Sequence, residues 1–149
     1  MKQIGKGSGR KVFDLENGFV LKQWYTEWGK QQNINEANIY NLSCDKYKKY
    51  LAISKISENY NVIMEKLTPI DKETFVEQVK HQEFYHSLIL YLTNDMNLNN
   101  DIQNYSSWGI NKQGQYVLLD YGYTHELYND FMWEYTREPK YLDANYIEW

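Results

Sequence analysis

Residues 2–24 read KQIGKGSGRKVFDLENGFVLKQW, and their order of turn residues and short β-rich runs decides the fold. Lys11-Val12-Phe13-Asp14-Leu15 and Phe19-Val20-Leu21-Lys22-Gln23-Trp24 flank Glu16-Asn17-Gly18, with a glycine cluster, Gly5 to Gly9, ahead of the first run. That is strand, glycine loop, strand, hairpin turn, strand. Asn17-Gly18 suits a two-residue turn with positive φ at both positions, which predicts a β-hairpin.

Outward from this hairpin, Ile34, Ala37, Ile39 and Leu42 predict a loosely amphipathic helix over 31–42 with Glu36 in its middle. Residues 51–56 and 60–67 alternate around Ser57-Glu58-Asn59 and predict a second hairpin, closed by Pro69. The longest helical expectation is 71–93, where Phe75, Val76, Val79, Leu88, Ile89 and Leu92 form a stripe and Asp71 is a candidate cap. An Asn-rich stretch over 94–104 reads as loop. Trp108-Gly109-Ile110 and Tyr116-Val117-Leu118-Leu119-Asp120 predict a third hairpin, and Leu127, Tyr128, Phe131, Met132 and Tyr135 a last helix before Pro139.

With 149 residues, 42% of them apolar and 24% charged, the chain is expected to build one globular domain. A net charge of -4 argues against general affinity for nucleic acid, and no apolar run is long enough to span a bilayer. The single Cys44 has no intramolecular partner, and no charged-then-apolar leader opens the chain, so a cytoplasmic location is the expectation. Cys44 itself reads as a packing residue or a chance one. His81 and His86, five apart, miss the four-residue spacing that sets two metal ligands on one helix face.

Gly5, Gly7 and Gly9 read alone as a turn. Followed by a strand lysine, Lys22, they form a loop whose backbone N–H groups and ammonium suit phosphate oxygens. Glu36 is the helix carboxylate that can hold Lys22 in place, and Asp120, at a strand end before Tyr121-Gly122, is a hard oxygen ligand suited to Mg²⁺.

This ordered set resembles the protein-kinase and aminoglycoside-phosphotransferase superfamily, in particular short kinase-like proteins of phage genomes. The resemblance runs over about residues 2–135 and is carried by Ile4 to Phe13, Val20-Leu21-Lys22 and Leu118-Leu119-Asp120-Tyr121-Gly122. It implies an α+β, minimal two-lobed kinase-like fold: a small antiparallel β N-lobe over 1–67 and a reduced helical C-lobe over 68–149. It further implies Gly5, Gly7, Gly9, Val12, Lys22 and Glu36 at an ATP site, Met64 to Leu67 as hinge, Asp120 on Mg²⁺ and Asp101 as catalytic base. The chain departs from the family at the catalytic loop. Asn99-Asn100 precede Asp101 where a histidine pattern is expected, and the position of the metal-binding asparagine holds Ser106. Two functions follow: a degenerate, pseudokinase-type protein that engages a host or partner protein, or an active Mg-ATP-dependent phosphotransferase acting on a hydroxyl. The aromatic residues Trp133, Tyr135, Tyr141, Tyr146 and Trp149 read as core cover, with a protein-binding face mixed with carboxylates as the alternative, and the acidic Glu134, Glu138, Asp143 and Glu148 read as solvated surface.

Overall fold

The computed structural model describes residues 1–130. The chain is α+β, with antiparallel sheets and several helices. Strands β1 (Lys2–Lys6), β2 (Arg10–Asp14) and β3 (Phe19–Trp24) lead into helix α1 (Glu27–Leu42) and the short α2 (Asp45–Lys48). Then come β4 (Ser54–Ile56) and β5 (Val62–Glu65), which complete a five-stranded antiparallel sheet in the order β1-β2-β3-β5-β4. Strands β6 (Thr68–Pro69), β7 (Trp108–Ile110) and β8 (Tyr116–Leu118) make a second, three-stranded sheet.

The hairpins form where alternation placed them, but their turns differ. Leu15 N–H donates to Phe19 O, leaving a three-residue connection in which Glu16 and Gly18, not Asn17, take positive φ. Asn17 instead accepts from Phe19 N–H through its side chain, a local bond that Asx side chains favour. Gly5 does not belong to a loop either: it lies in β1 opposite Val12, beside a bulge, so the true loop is Gly7 to Gly9. Pro69 pairs with Gly109 as part of edge strand β6, a position that needs no proline donor.

Helix α1 starts earlier than apolar spacing predicts, because Thr26 caps it by accepting from Gly29 N–H at 3.0 Å. Its buried residues are Gly29, Gln32, Asn33, Glu36, Ala37 and Ile39. Half of them, Gln32, Asn33 and Glu36, are polar. Leu42, counted as apolar face, is instead 73% exposed, and Cys44 is free and exposed, so it is not a packing residue.

The expected single helix over 71–93 is broken. Asp71 does cap its start, accepting from Thr74 N–H at 2.7 Å, but α3 (Lys72–Thr74) runs into a π-helical turn (Phe75–Val79), a non-helical corner, α4 (Tyr85–Leu90) and a second π-helical turn (Tyr91–Asp95). The physical reason is the step from Val79 to Tyr85: six residues do not continue a 3.6-residue stripe, and the chain must rewind to bury both.

One continuous apolar cluster joins the two sheets, running from Val20, Val62 and Met64 to Leu88, Leu92, Trp108 and Leu118. Ala52 N–H donates to Leu118 O and Leu118 N–H to Tyr50 O, stitching the segment before β4 onto β8. Trp108 is buried, with its indole N–H donating to Ile102 O at 2.8 Å and its ring among Phe75, Phe84 and Tyr85. Residues 125–130 are helical. The positions Phe131, Met132 and Tyr135 of the expected last helix, and the aromatic and acidic set from Trp133 onward, lie outside the described residues.

Candidate functional site: a buried charge network beside the glycine loop

Antiparallel pairing places Val12 opposite Lys22, so the two share a sheet face, and the period of two brings Arg10 to that same face. Helix α1 lies against this face and presents Asn33 and Glu36 to it. The segment after β8 then delivers Asp120 and Tyr121. Long-range order in the site thus comes from three elements converging on one carboxylate.

Glu36 is fully buried and accepts from three donors: Lys22 Nζ at 2.8 Å, Arg10 Nη1 at 3.1 Å and Tyr121 N–H at 3.3 Å. Lys22 Nζ also donates to Leu119 O at 2.6 Å. Arg10 Nη1 donates to Asn33 Oδ1 at 3.0 Å, and Nη2 donates to Asp120 Oδ1 at 2.9 Å. Asn33 in turn donates to Lys22 O and Tyr60 O, so every arm of its amide is used. Two cations thus face two carboxylates and the network closes neutral. Burial of that kind is tolerated only when each charge is paired and hydrogen-bonded.

The electrostatics follow from this arrangement. Burial pushes the Lys22 ammonium down and Arg10 adds to that, against the opposing pull of Glu36 and Asp120; the net direction is below its usual range. Burial opposes the Arg10 charge too, but Glu36 and Asp120 together raise it. Asp120 is pushed up by burial, yet Arg10 and Lys22 hold its carboxyl below the usual carboxylate range.

Glycines let this packing occur. A Cβ on Gly9 would stand 2.7 Å from Gly29 N, and one on Gly29 would stand 1.9 Å from Gly9 O. Gly122 presses on α1 in the same way, its Cβ position lying 2.3 Å from Gln32 O. Gly7 makes the tight turn, its N–H donating to Arg10 O at 2.8 Å, while Tyr25 Oη donates to Gly7 O.

A cavity of about 420 Å³ opens beside the network, lined among others by Gly7, Gly9, Arg10, Val12, Lys22 and Asp120. Gly5 is not part of its lining, and neither is Glu36, which is sealed behind Lys22 and Arg10. Asp101 lines a different cavity of about 330 Å³, with Lys72, Phe75, Lys80 and Tyr105. Its Oδ1 is buried without a hydrogen-bond partner, and burial, reinforced by the charges of Asp120 and Glu36, pushes its carboxyl up to about 8. Ser107 Oγ donates to the Asp101 carbonyl rather than to its carboxylate.

The Asp101 carboxyl yields a prediction of definite sign. Unfolded, it releases its proton near its ordinary value of 3.8; folded, it keeps it to about 8, so stability falls as pH rises between the two and the penalty is complete above 8. Asp101→Asn removes that penalty. Allowing for partial solvent screening, the variant is expected to be more stable than wild type by on the order of 2 kcal/mol at pH 8 and nearly equal at pH 4. Urea denaturation of both proteins at the two pH values reads this directly; equal stability at pH 8 would show that Asp101 is ionised and solvated.

Of the residues singled out in the sequence, Gly7, Gly9, Val12, Lys22, Glu36 and Asp120 meet in one region, while Gly5 is strand and Asp101 lines the neighbouring cavity, near enough for the charges of Asp120 and Glu36 to act on it. Arg10 and Asn33 are the members that sequence reasoning missed. A divalent metal held by protein side chains alone does not fit this arrangement: Arg10 holds Asp120 Oδ1, Glu36 is fully engaged, and among the described residues no group of three or more His, Cys, Asp or Glu side chains could hold a metal ion. Fold and site together define an α+β protein with a neutral, buried ion network beneath a glycine loop. No family model matches this chain, and comparison with curated proteins finds no match.

Proposed function

We propose that this chain is a kinase-like scaffold of the degenerate, pseudokinase type, whose role is to engage a partner protein, a host protein in the phage setting the sequence resembles. The observation that carries this reading is the outer face of the five-stranded sheet. Phe13, Leu21 and Ile63 sit opposite one another across β2, β3 and β5, flanked by exposed Phe19 and Ile53, on the face turned away from α1. A contiguous apolar row of this kind marks an interaction surface more than scattered single residues do. The strand order, the Lys22–Glu36 ion pair and the convergence of Asp120 on the glycine loop support the kinase-like part of the reading.

Asp101 gives phosphoryl transfer little support, because the carboxyl expected to act as base lines a different cavity from the one beside the glycine loop. The reading with ATP, Mg²⁺ and an active phosphotransferase has one observation in its favour, the cavity that brings Gly7, Gly9, Val12 and Lys22 together.

Calorimetric and thermal-shift titration with Mg·ATP, beside Lys22→Ala and Asp120→Ala, separates the two. The expected result is no saturable binding at millimolar nucleotide, together with partner capture that is lost in an Ile53→Glu, Ile63→Glu variant of unchanged fold. Saturable binding lost in both site variants would overturn the proposal in favour of the enzyme.

A further inference from the structure

The guanidinium of Arg10 gathers three oxygen acceptors: Glu36 Oε2 at 3.1 Å and Asn33 Oδ1 at 3.0 Å on Nη1, and Asp120 Oδ1 at 2.9 Å on Nη2. Two carboxylates and an amide carbonyl, with solvent reaching Asp120, are a hard oxygen donor set of the kind Mg²⁺ and Mn²⁺ take with water completing the shell. We propose that Arg10 is a resident cation standing in for a divalent metal between Glu36 and Asp120, so that the protein excludes Mg²⁺ and Mn²⁺ there until the Arg10 charge is removed.

Three features hold the arginine in that role. It has no neutral form to retreat to at any accessible pH. Its backbone cannot drift, because Arg10 pairs with Trp24 in the sheet and the preceding Gly9 is in contact with Gly29 of α1. Its side chain is buried, so leaving the pocket would strand Glu36 beside a single cation. A divalent ion arriving at the intact network meets Lys22 and Arg10 within a neutral cluster and gains no uncompensated carboxylate.

Removing the side chain frees Asp120 Oδ1 and Asn33 Oδ1 and leaves Glu36 Oε2 with the Tyr121 N–H alone. Mn²⁺ alone is the probe, titrated into wild type, Arg10→Ala, Arg10→Lys and the double variant Arg10→Ala, Asp120→Asn, with free Mn²⁺ read by electron paramagnetic resonance. Arg10→Ala is expected to bind one Mn²⁺ at least about tenfold tighter than wild type. Arg10→Lys should behave as wild type, and the double variant should lose the gain. Melting curves keep the test decisive where Arg10→Ala is unstable: Mn²⁺ should raise its melting temperature and leave that of wild type unchanged. Wild type that binds Mn²⁺ as tightly as Arg10→Ala overturns the proposal, as does a folded Arg10→Ala that binds none or one that stays unfolded in millimolar Mn²⁺. The titration contains neither nucleotide nor partner protein, so it stands or falls apart from the proposed function.

Discussion

Glu36→Ala is expected to lower the free energy of unfolding by about 3–5 kcal/mol, the loss that follows when one member of a buried ion network is removed and its partners stay behind. Among the described residues Glu36 is the only carboxylate that pairs with both buried cations, and it also receives Tyr121 N–H. In its absence Lys22 keeps a bond to Leu119 O but loses its ion-pair partner, and Arg10 is left with Asp120 and Asn33. Glu36→Gln keeps an acceptor for Tyr121 and should recover part of the loss. The deficit carries a pH signature. Lys22 already titrates below its usual range, and without Glu36 it falls further; the unfolded lysine then holds a proton that the folded one has released. Stability of Glu36→Ala therefore rises as pH passes through the folded Lys22 value toward the ordinary lysine range. Urea midpoints of wild type and variant at pH 7 and pH 10 measure both effects. A loss under about 1 kcal/mol at pH 7 would place Glu36 in the class of solvated surface carboxylates.

How much of this was legible in the sequence depends on which force acts at each element. The strands were legible because one sheet face is apolar and packed, and the period of two survives in Val12, Val20, Val62 and Met64. Helix α1 was legible only in outline, since Ala37 and Ile39 share its buried face with Gln32, Asn33 and Glu36, and hydrophobic periodicity cannot report the part of a face that binds charges. The Thr26 cap was available as a signal and marks the true start. The break in 71–93 was encoded in the six-residue step from Val79 to Tyr85, which a stripe drawn through the whole segment conceals. Lys22, Glu36 and Asp120 were found by order along the chain. Arg10 was not, because a basic residue after a glycine loop reads as solvent-facing; the available signal was that it lies two residues from Val12 and so shares the inward face. Asp101 was placed by position in a motif, and motif position carries no information on which cavity a side chain enters.

Gly29→Ala sets two magnitudes against each other, and the structure decides which wins. Helix propensity favours alanine over glycine by about 1 kcal/mol in a helix interior, so a reading from secondary structure alone predicts stabilisation. The added Cβ would stand 1.9 Å from Gly9 O and 3.0 Å from Arg10 Cγ, and the nearer atom is backbone that no rotamer change can move aside. Overpacking costs typically 1–3 kcal/mol and more where backbone must shift, so a net loss of about 3 kcal/mol is expected. The damage is specific: displacing Gly9 pulls Arg10 from Glu36 and Asp120, and the neutral network loses one of its two cations. Asn38→Ala, at an exposed position of the same helix, serves as the propensity control and should gain a few tenths of a kcal/mol. Thermal denaturation of the three proteins checks the sign. If Gly29→Ala matches or exceeds wild type, the glycine loop does not rest on α1; if it falls while Asn38→Ala rises, the loop's glycines serve helix contact, and Arg10 is held where it is by that contact.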